Sequence, residues 1–449
     1  MRLMKSGALA AALCFVSLAA EPPRLTIPVT YYQLPNGLKV ALSRDTTAPL
    51  TVVAVYYNIG FRIEPKDRTG FAHLFEHMMF QGSANLGKME FIKLVQANGG
   101  VLNGSTRFDF TNYFEVVPAN KLETMLWAEA DRMKGLAITE ENLTNQKGVV
   151  SNEVKVNVLN QPYGGFPWLD MPQYANTNWY NAHNFYGDLK DIEAATLDDV
   201  RSFFKTYYAP NNAALAIVGD FDETQAKAWI QKYFGGIPRQ SAVAKPDLTE
   251  PRQEAEKRFS KVDKLAKKPA LAVAYQMPAP RSPEHYAMVV LDQILLQGDD
   301  SLLNQELAKK KGYTERVTGG INLLGNAFNY NGPMLWMADL VYDNADKTNE
   351  IIEAVDQTIA KLQQAPVSQA DLDRALVKYR ASYYRNLTQL GGLGRADLLA
   401  SFSLFLDDPA YINQLEPELR KVTPALMQKV AQDYLRKTNR TILTVEVAK

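Results

Sequence analysis

Five consecutive residues, His73-Leu74-Phe75-Glu76-His77, limit the fold of this chain more tightly than any other stretch. They contain two of the four histidines in 449 residues, spaced four apart with an acid between them. On a helix, positions four apart lie one turn above each other on one face, so both imidazoles can reach a single metal ion. Glu76, three residues after His73, shares that face and is within reach of water bound to the metal. Two ligands that hold an ion, and a base that takes a proton from its water, are what zinc hydrolysis requires. The alternative, a hydrogen-bonded pair of core histidines, would leave Glu76 a buried carboxylate without an evident partner.

The order H-x-x-E-H reverses the commoner H-E-x-x-H and is the inverzincin arrangement of metallopeptidases. The rest of the composition suits a globular chain. It is 46% hydrophobic and 22% charged, as a packed core requires, and its length favours two or more domains. Lys+Arg equals Asp+Glu at 49 each, which leaves no electrostatic reason to expect nucleic acid or an anionic membrane as partner.

The N-terminus reads differently. Arg2 and Lys5 precede an apolar run from Gly7 to Ala20, and Glu21-Pro22-Pro23 follows. This is the layout of a secretory signal peptide over residues 1–20, with cleavage after Ala19 or Ala20, and the run is short for a membrane span. Cys14, the single cysteine, lies inside it, and Leu13 before it departs from a lipoprotein site. The mature protein is therefore expected to have neither disulfide nor thiolate ligand, leaving His and carboxylate to hold metal. The expected location is the periplasm of a bacterial envelope, or outside the cell.

Thr30 to Tyr57 reads as a strand, an Asn36-Gly37 turn and two more strands; Asn-Gly between alternating apolar residues is a hairpin signal. Thr69 is placed to cap the motif helix. Phe108, Phe110, Phe114 and Val116 recur at period two within an extended hairpin over 103–117. Helices are expected over 122–135 and 139–159, and a strand over 213–221. Gly, Pro, Ser and Ala cluster in 236–252 without apolar periodicity, which reads as a linker. It separates residues 21–235 from 253–449, where a similar order of elements returns: strand 270–276, helix 284–296, extended segments over 317–341, long helices and a last strand over 441–447. Thr196 to Gly219 aligns without gaps on Thr423 to Glu446, pairing Thr196 with Thr423, Tyr207 with Tyr434, Asn212 with Asn439 and Val218 with Val445. Two related halves follow, each a sheet with helices on one side, and only the first carries the motif.

A catalytic zinc wants a third protein ligand and one open position. His183 and His285 are the remaining imidazoles, and neither has a paired motif. Glu153, late in a predicted helix, is the favoured acid, although spacing alone does not select it over Glu129, Glu140 or Glu141.

The stretch Thr69-Gly70-Phe71-Ala72-His73-Leu74-Phe75-Glu76-His77-Met78-Met79-Phe80-Gln81-Gly82-Ser83 resembles the pitrilysin-type (M16) zinc metallopeptidase family, as do Gly99-Gly100, Asn103, Thr111-Asn112-Tyr113 and Tyr208-Ala209-Pro210-Asn211-Asn212. The resemblance covers most of the mature chain and suits the short-chain bacterial branch. It implies an α+β fold (an α/β roll): two homologous domains, each a mostly antiparallel sheet covered by helices, forming half of a clamshell. It also implies one Zn2+ per chain, held by His73, His77 and a helical glutamate well downstream. Glu153 stands 76 residues after His77 and takes that role.

Family members usually carry another glutamate two turns before that ligand, where this chain has Gln146. Substrate is expected to lie as an added strand beside the zinc, with Asn103 bonding a peptide carbonyl. Members that act alone carry an arginine and a tyrosine in the second half; here those positions hold Ala308 and Glu315, with Tyr313 and Arg316 nearby. The implied partner is a homologous subunit supplying Arg and Tyr, with a homodimer as fallback. The Gly391-Gly392-Leu393-Gly394 run reads as a helix-to-helix loop. The rival reading is a non-catalytic scaffold or assembly subunit on the same fold.

Overall fold

Six strands of the first half, β1 (Thr30–Gln33), β2 (Lys39–Arg44), β3 (Leu50–Tyr57), β4 (Val101–Thr106), β5 (Thr111–Pro118) and β6 (Ala213–Gly219), form one sheet in the order β1-β2-β6-β3-β5-β4. Only β2 and β6 run parallel. Their residues are those a buried sheet favours: β3 reads LTVVAVYY and is buried from Thr51 to Tyr57. These facts come from a computed structural model, which describes residues 25–448. The expected signal segment, with Cys14, lies outside the described residues.

The second half repeats the plan. Strands β7 (Lys257–Asp263), β8 (Ala270–Gln276), β9 (Thr318–Ile321), β10 (Leu335–Val341) and β11 (Arg440–Val447) lie in the order β7-β11-β8-β10-β9. β7 and β11 are parallel and the other pairs antiparallel, which is the pattern of β2-β6-β3-β5-β4 without β1. The aligned segments play matching parts. Thr196 and Thr423 each cap a helix, accepting from Asp199 N and Leu426 N. Asn212 Nδ2 donates to Tyr207 O at 2.9 Å, and Asn439 Nδ2 donates to Tyr434 O at 2.7 Å. Each amide thus ties the end of its helix to the following strand. β7 escapes a reading by pattern: KRFSKVD is charged and largely exposed, so it carries no apolar alternation.

Period-two alternation divides each sheet into two unlike faces. In the first, Val53, Val55, Tyr57, Leu215 and Ile217 meet the helices of their own half. The opposite face carries Ala54, Ala214, Ala216 and Val218, and it is covered by the helix Leu393–Leu406 of the second half, which packs against β2, β3 and β6. The exchange is mutual. Met171 and Ala175, on the helix Asp170–Ala175 of the first half, pack on Ala272, Ala274, Met337 and Leu443 of the second sheet. Alanines on both exchange faces, among them Ala54, Ala214, Ala216, Ala272 and Ala274, leave room for a foreign helix to approach. Polar ties cross the same seam: Tyr56 Oη donates to Asp397 at 2.8 Å, and Arg395 lies 2.9 Å from Asp45. The glycine run falls between the helices Gln369–Thr388 and Leu393–Leu406, with Gly391 and Gly392 at φ 70° and 104°.

His285 shows how completely the second half has enclosed its own histidine. It lies on the helix Pro283–Leu295, 1% exposed. Its Nδ1 accepts from Arg281 N at 3.3 Å, so Nε2 carries the proton and donates to Tyr330 Oη at 2.8 Å. Burial, reinforced by the Arg281 charge, pushes the imidazole down to about 3. A depressed folded value means that the unfolded chain takes up a proton first as pH falls below about 6.5. Stability is then fully present above that pH and is lost progressively toward 3. At pH 5 the loss is about 2 kcal/mol. Urea unfolding at pH 7 and pH 5 checks this: His285→Gln is expected to show a smaller drop by that amount, and a drop equal to the wild type would refute it.

Candidate metal centre

The motif occupies the helix Phe71–Met78, whose Phe71, Ala72, Leu74, Phe75 and Met78 are buried in the first core. That leaves one face for His73, Glu76 and His77. The helix start is held from two sides. Glu64, fully buried, accepts from Gly70 N at 2.8 Å and from Ala72 N at 2.5 Å. Burial outweighs those two bonds and pushes its carboxyl up to about 8. Glu64 thus fills the capping role expected of Thr69, whose hydroxyl is engaged elsewhere: it donates to Asp191 at 2.5 Å and accepts from Asp188 N at 2.9 Å. Beyond it, Gly187 crosses Gly70 so closely that a Cβ would run into the Gly70 amide, and its φ of 84° also favours glycine.

The second element is the helix Glu140–Val154, capped by Thr139, which accepts from Asn142 N. Leu143, Gln146, Val150 and Val154 are buried at helical spacing. Asn142 Nδ2 donates to Gln81 O at 3.1 Å and to Ala137 O at 2.9 Å, tying this helix to the segment that leaves the motif. The two helices pack together and bring Glu153 onto the histidines.

His73 Nε2 lies 3.4 Å from Glu153 Oε1, and His77 Nε2 lies 3.2 Å from Glu153 Oε2. The two rings stand at 88° with centroids 4.9 Å apart. Ligand atoms about 2.0–2.2 Å from one tetrahedral zinc stand about 3.3–3.6 Å from each other, so these separations suit a shared ion. Among the described residues this is the one group of three or more His, Cys, Asp or Glu side chains whose ligand atoms all lie within 4.8 Å. His73 is buried, with its Nε2 edge turned to Glu153. His77 and Glu153 are 20% and 30% exposed, which opens the cluster on one side. The two imidazoles, by hydrogen bonding, hold the Glu153 carboxyl well below the usual range. Two neutral nitrogens and a carboxylate, open on one side, are a donor set that fits catalytic zinc.

The other candidates are committed elsewhere. Glu129 is buried against Arg132, whose guanidinium sits 3.7 Å over the Phe91 ring. Glu140 and Glu141 are exposed in the first turn of their helix. His183 stacks on Trp179 at 4.1 Å, and His285 is buried in the second half against Tyr330.

Glu76 meets the sheet. Thr106 Oγ1, on β4, donates to Glu76 Oε2 at 2.7 Å. β4 is an edge strand, and a Cβ at Gly104 would lie 3.3 Å from Glu76 Cγ, so glycine lets the strand edge pass close to the acid. The pleat turns Gly104 and Thr106 toward Glu76 and puts Asn103 on the opposite face. There Asn103 is exposed, and its Oδ1 accepts from Gly104 N at 2.9 Å. Gln146 donates to Asn145 Oδ1 at 2.8 Å. Ala308 lies in a helical segment, Asn304–Lys310; Tyr313 donates to Glu350 at 3.1 Å, and Glu315 and Arg316 are exposed.

Three residues at the centre carry no signal in the sequence. Glu64 and Thr106 belong to no spacing rule. Tyr186, one of 22 tyrosines, lies with its ring 5.1 Å from His73 and 5.5 Å from Trp168. Burial, then the charges of Glu153 and Glu76, push its hydroxyl up to about 12.

A family model described as Insulinase (Peptidase family M16) matches residues 39–178, and one described as Peptidase M16 inactive domain matches residues 194–378. Zinc protease PqqE of Helicobacter pylori is 27% identical over 418 residues, covering 91% of this chain and 90% of its own. The crystal structure of a protease from Helicobacter pylori superposes with a TM-score of 0.85 at 24% identity, over 94% of this chain and all of that one. The periplasmic protease PqqL of Escherichia coli superposes at 0.72 and 18% identity, over 94% of this chain and 48% of its own. The first matched stretch spans the pentapeptide and Glu153, the second reaches from the first half into the next, and the chain belongs to peptidase family M16.

Proposed function

We propose that this chain is a zinc-dependent endopeptidase that hydrolyses peptides or unfolded segments. The observation that carries the reading is the convergence of His73, His77 and Glu153 beside Glu76 at the open edge of β4. Zinc proteases among the relatives support the metal. We take residues 21–235 as the metal-bearing domain, 236–252 as linker and 253–449 as its metal-free counterpart. A periplasmic neighbour of the same fold, and a described chain with no helix long and apolar enough to cross a membrane, fit an exported enzyme.

His73, His77 and Glu153 would hold the ion. Bound zinc supplies a Lewis acid that polarises the scissile carbonyl and makes water beside it more acidic. Substrate pairs as an added strand along β4, one of the two edges of the first sheet, beside Asn103. Thr106 holds Oε2 of Glu76, leaving Oε1 to take the proton of the attacking water and return it to the leaving nitrogen. Gln146, two turns before Glu153, adds an uncharged amide to the ligand helix and no further negative charge.

Ala308 and Glu315 stand where related enzymes that work alone carry Arg and Tyr, so a homologous subunit supplying that pair completes the cleft. The same two positions favour the second reading, a scaffold on this fold. Elemental analysis separates them, since a scaffold purifies without stoichiometric zinc.

Glu76→Gln is expected to keep one zinc per chain while turnover of a quenched peptide falls by about 10²–10⁴-fold; full turnover would remove Glu76 from the mechanism. Thr106→Val removes one hydrogen bond from the base, and kcat is expected to fall about tenfold with zinc content unchanged. The purified chain alone is expected to be slow and to gain turnover with a subunit carrying the Arg/Tyr pair. A rate of about 1–10³ s⁻¹ without any partner would defeat the two-subunit reading.

A further inference from the structure

The ligands and the base leave one polar group at the centre without a role, the hydroxyl of Tyr186. Its ring is wedged among three others: it stands edge-on to His73 at 5.1 Å, 5.5 Å from Trp168 and 6.4 Å from Phe61. The phenol oxygen is within hydrogen-bonding reach of the Asn157 and Glu153 side chains, and the Glu76 charge also acts on it. The turn that carries it is closed on itself. Tyr186 N donates to Asn184 Oδ1 at 3.1 Å, Gly187 N donates to Asn184 O at 2.9 Å, and Asn184 Nδ2 donates to Gly187 O at 3.1 Å. The turn is also pinned to the start of the motif helix, because a Cβ on Gly70 would lie 2.9 Å from Tyr186 O. Tyr186 is therefore placed by the same backbone contact that places His73.

We propose that Tyr186 is a catalytic residue whose hydroxyl donates a hydrogen bond to the oxyanion formed when water adds to the scissile carbonyl. The proposal rests on the peptidase reading above. The attacked carbonyl must sit between the base, Glu76, and the ligand cluster that includes Glu153, and Tyr186 borders both. A phenol offers an O–H donor without adding a formal charge of its own. Such a donor favours the charged tetrahedral species over the neutral substrate and so acts on kcat more than on KM. Among the described residues of the second half, the tyrosine nearest the expected position, Tyr313, is spent on Glu350.

The test uses the full zinc-loaded chain and its Tyr186→Phe and Tyr186→Ala variants. Three quantities are read: zinc retention against a chelator, kcat and KM on a quenched peptide, and the Kd of a phosphinic peptide that mimics the tetrahedral species. The expected result for Tyr186→Phe is wild-type zinc retention, KM within about twofold and kcat lower by about 10²-fold. The phosphinic peptide should weaken by a similar factor, and that binding can be read even where turnover is slow. Tyr186→Ala should add a loss of zinc retention through the missing ring against His73. Tyr186→Phe with unchanged kcat and unchanged phosphinic peptide affinity overturns the proposal, and so does a kcat loss that zinc release accounts for. A wild-type chain that takes up no zinc defeats the peptidase reading, a result distinct from a zinc-loaded, active wild type that Tyr186→Phe equals.

Discussion

Polar groups at the margin of an apolar core have to be paired, because burying one without a partner costs free energy. His73 is buried, His77 and Glu153 are partly so, and one ligand atom of each lies within 4.8 Å of those of the other two. Apolar packing on the far sides of the two helices does the placing: Phe71, Leu74, Phe75 and Met78 on one, Leu143, Val150 and Val154 on the other. Glu64 at the helix start and the Gly70–Gly187 crossing then fix where along its axis the motif begins. Each of these contacts is remote from the chemistry, and each sets the distance between ligands.

The exchange of helices explains why two similar halves behave as one body. A sheet with one bare apolar face is costly in water, and each half lacks a helix to cover its second face. The helix Leu393–Leu406 covers the first sheet, and the helix Asp170–Ala175 covers the second. The second helix follows the ligand helix along the chain, so the second half is anchored to the segment that runs on from Glu153. The second half thus packs against the segment that runs on from Glu153, and none of the three clustered side chains comes from it.

Much of the plan was legible because it is local. The pentapeptide could be read as a helix with a ligating face, the first hairpin from Asn36-Gly37 between alternating apolar residues, and strand β6 and the last strand from their matching places after a helix and a short polar turn. The matched threonines and asparagines of the two halves follow from alignment alone. What escaped reading did so for physical reasons. Strand β7 is charged and exposed, so it exists through its pairing with β11 rather than through its own pattern. The cap on the motif helix came from Glu64, which is distant from any capping rule, because Thr69 was drawn to Asp191 and Asp188. Asn103 was expected beside a bound peptide; the strand's pleat turns its side chain away from Glu76 and offers Gly104 and Thr106 instead.

By itself the sequence determined that two imidazoles and an acid share one helical face, because a spacing of four residues matches the helical turn. It also determined that the chain carries two copies of one sheet plan, because alternation and turn residues are local properties. Spacing left open which acid completes the cluster, and the family resemblance pointed to Glu153; the tertiary structure brings Glu153 to the histidines and buries or exposes Glu129, Glu140 and Glu141 elsewhere. It alone placed Thr106 on Glu76 and Tyr186 beside His73. Contacts between segments far apart along the chain depend on how helices and sheets stack, and no periodicity encodes them.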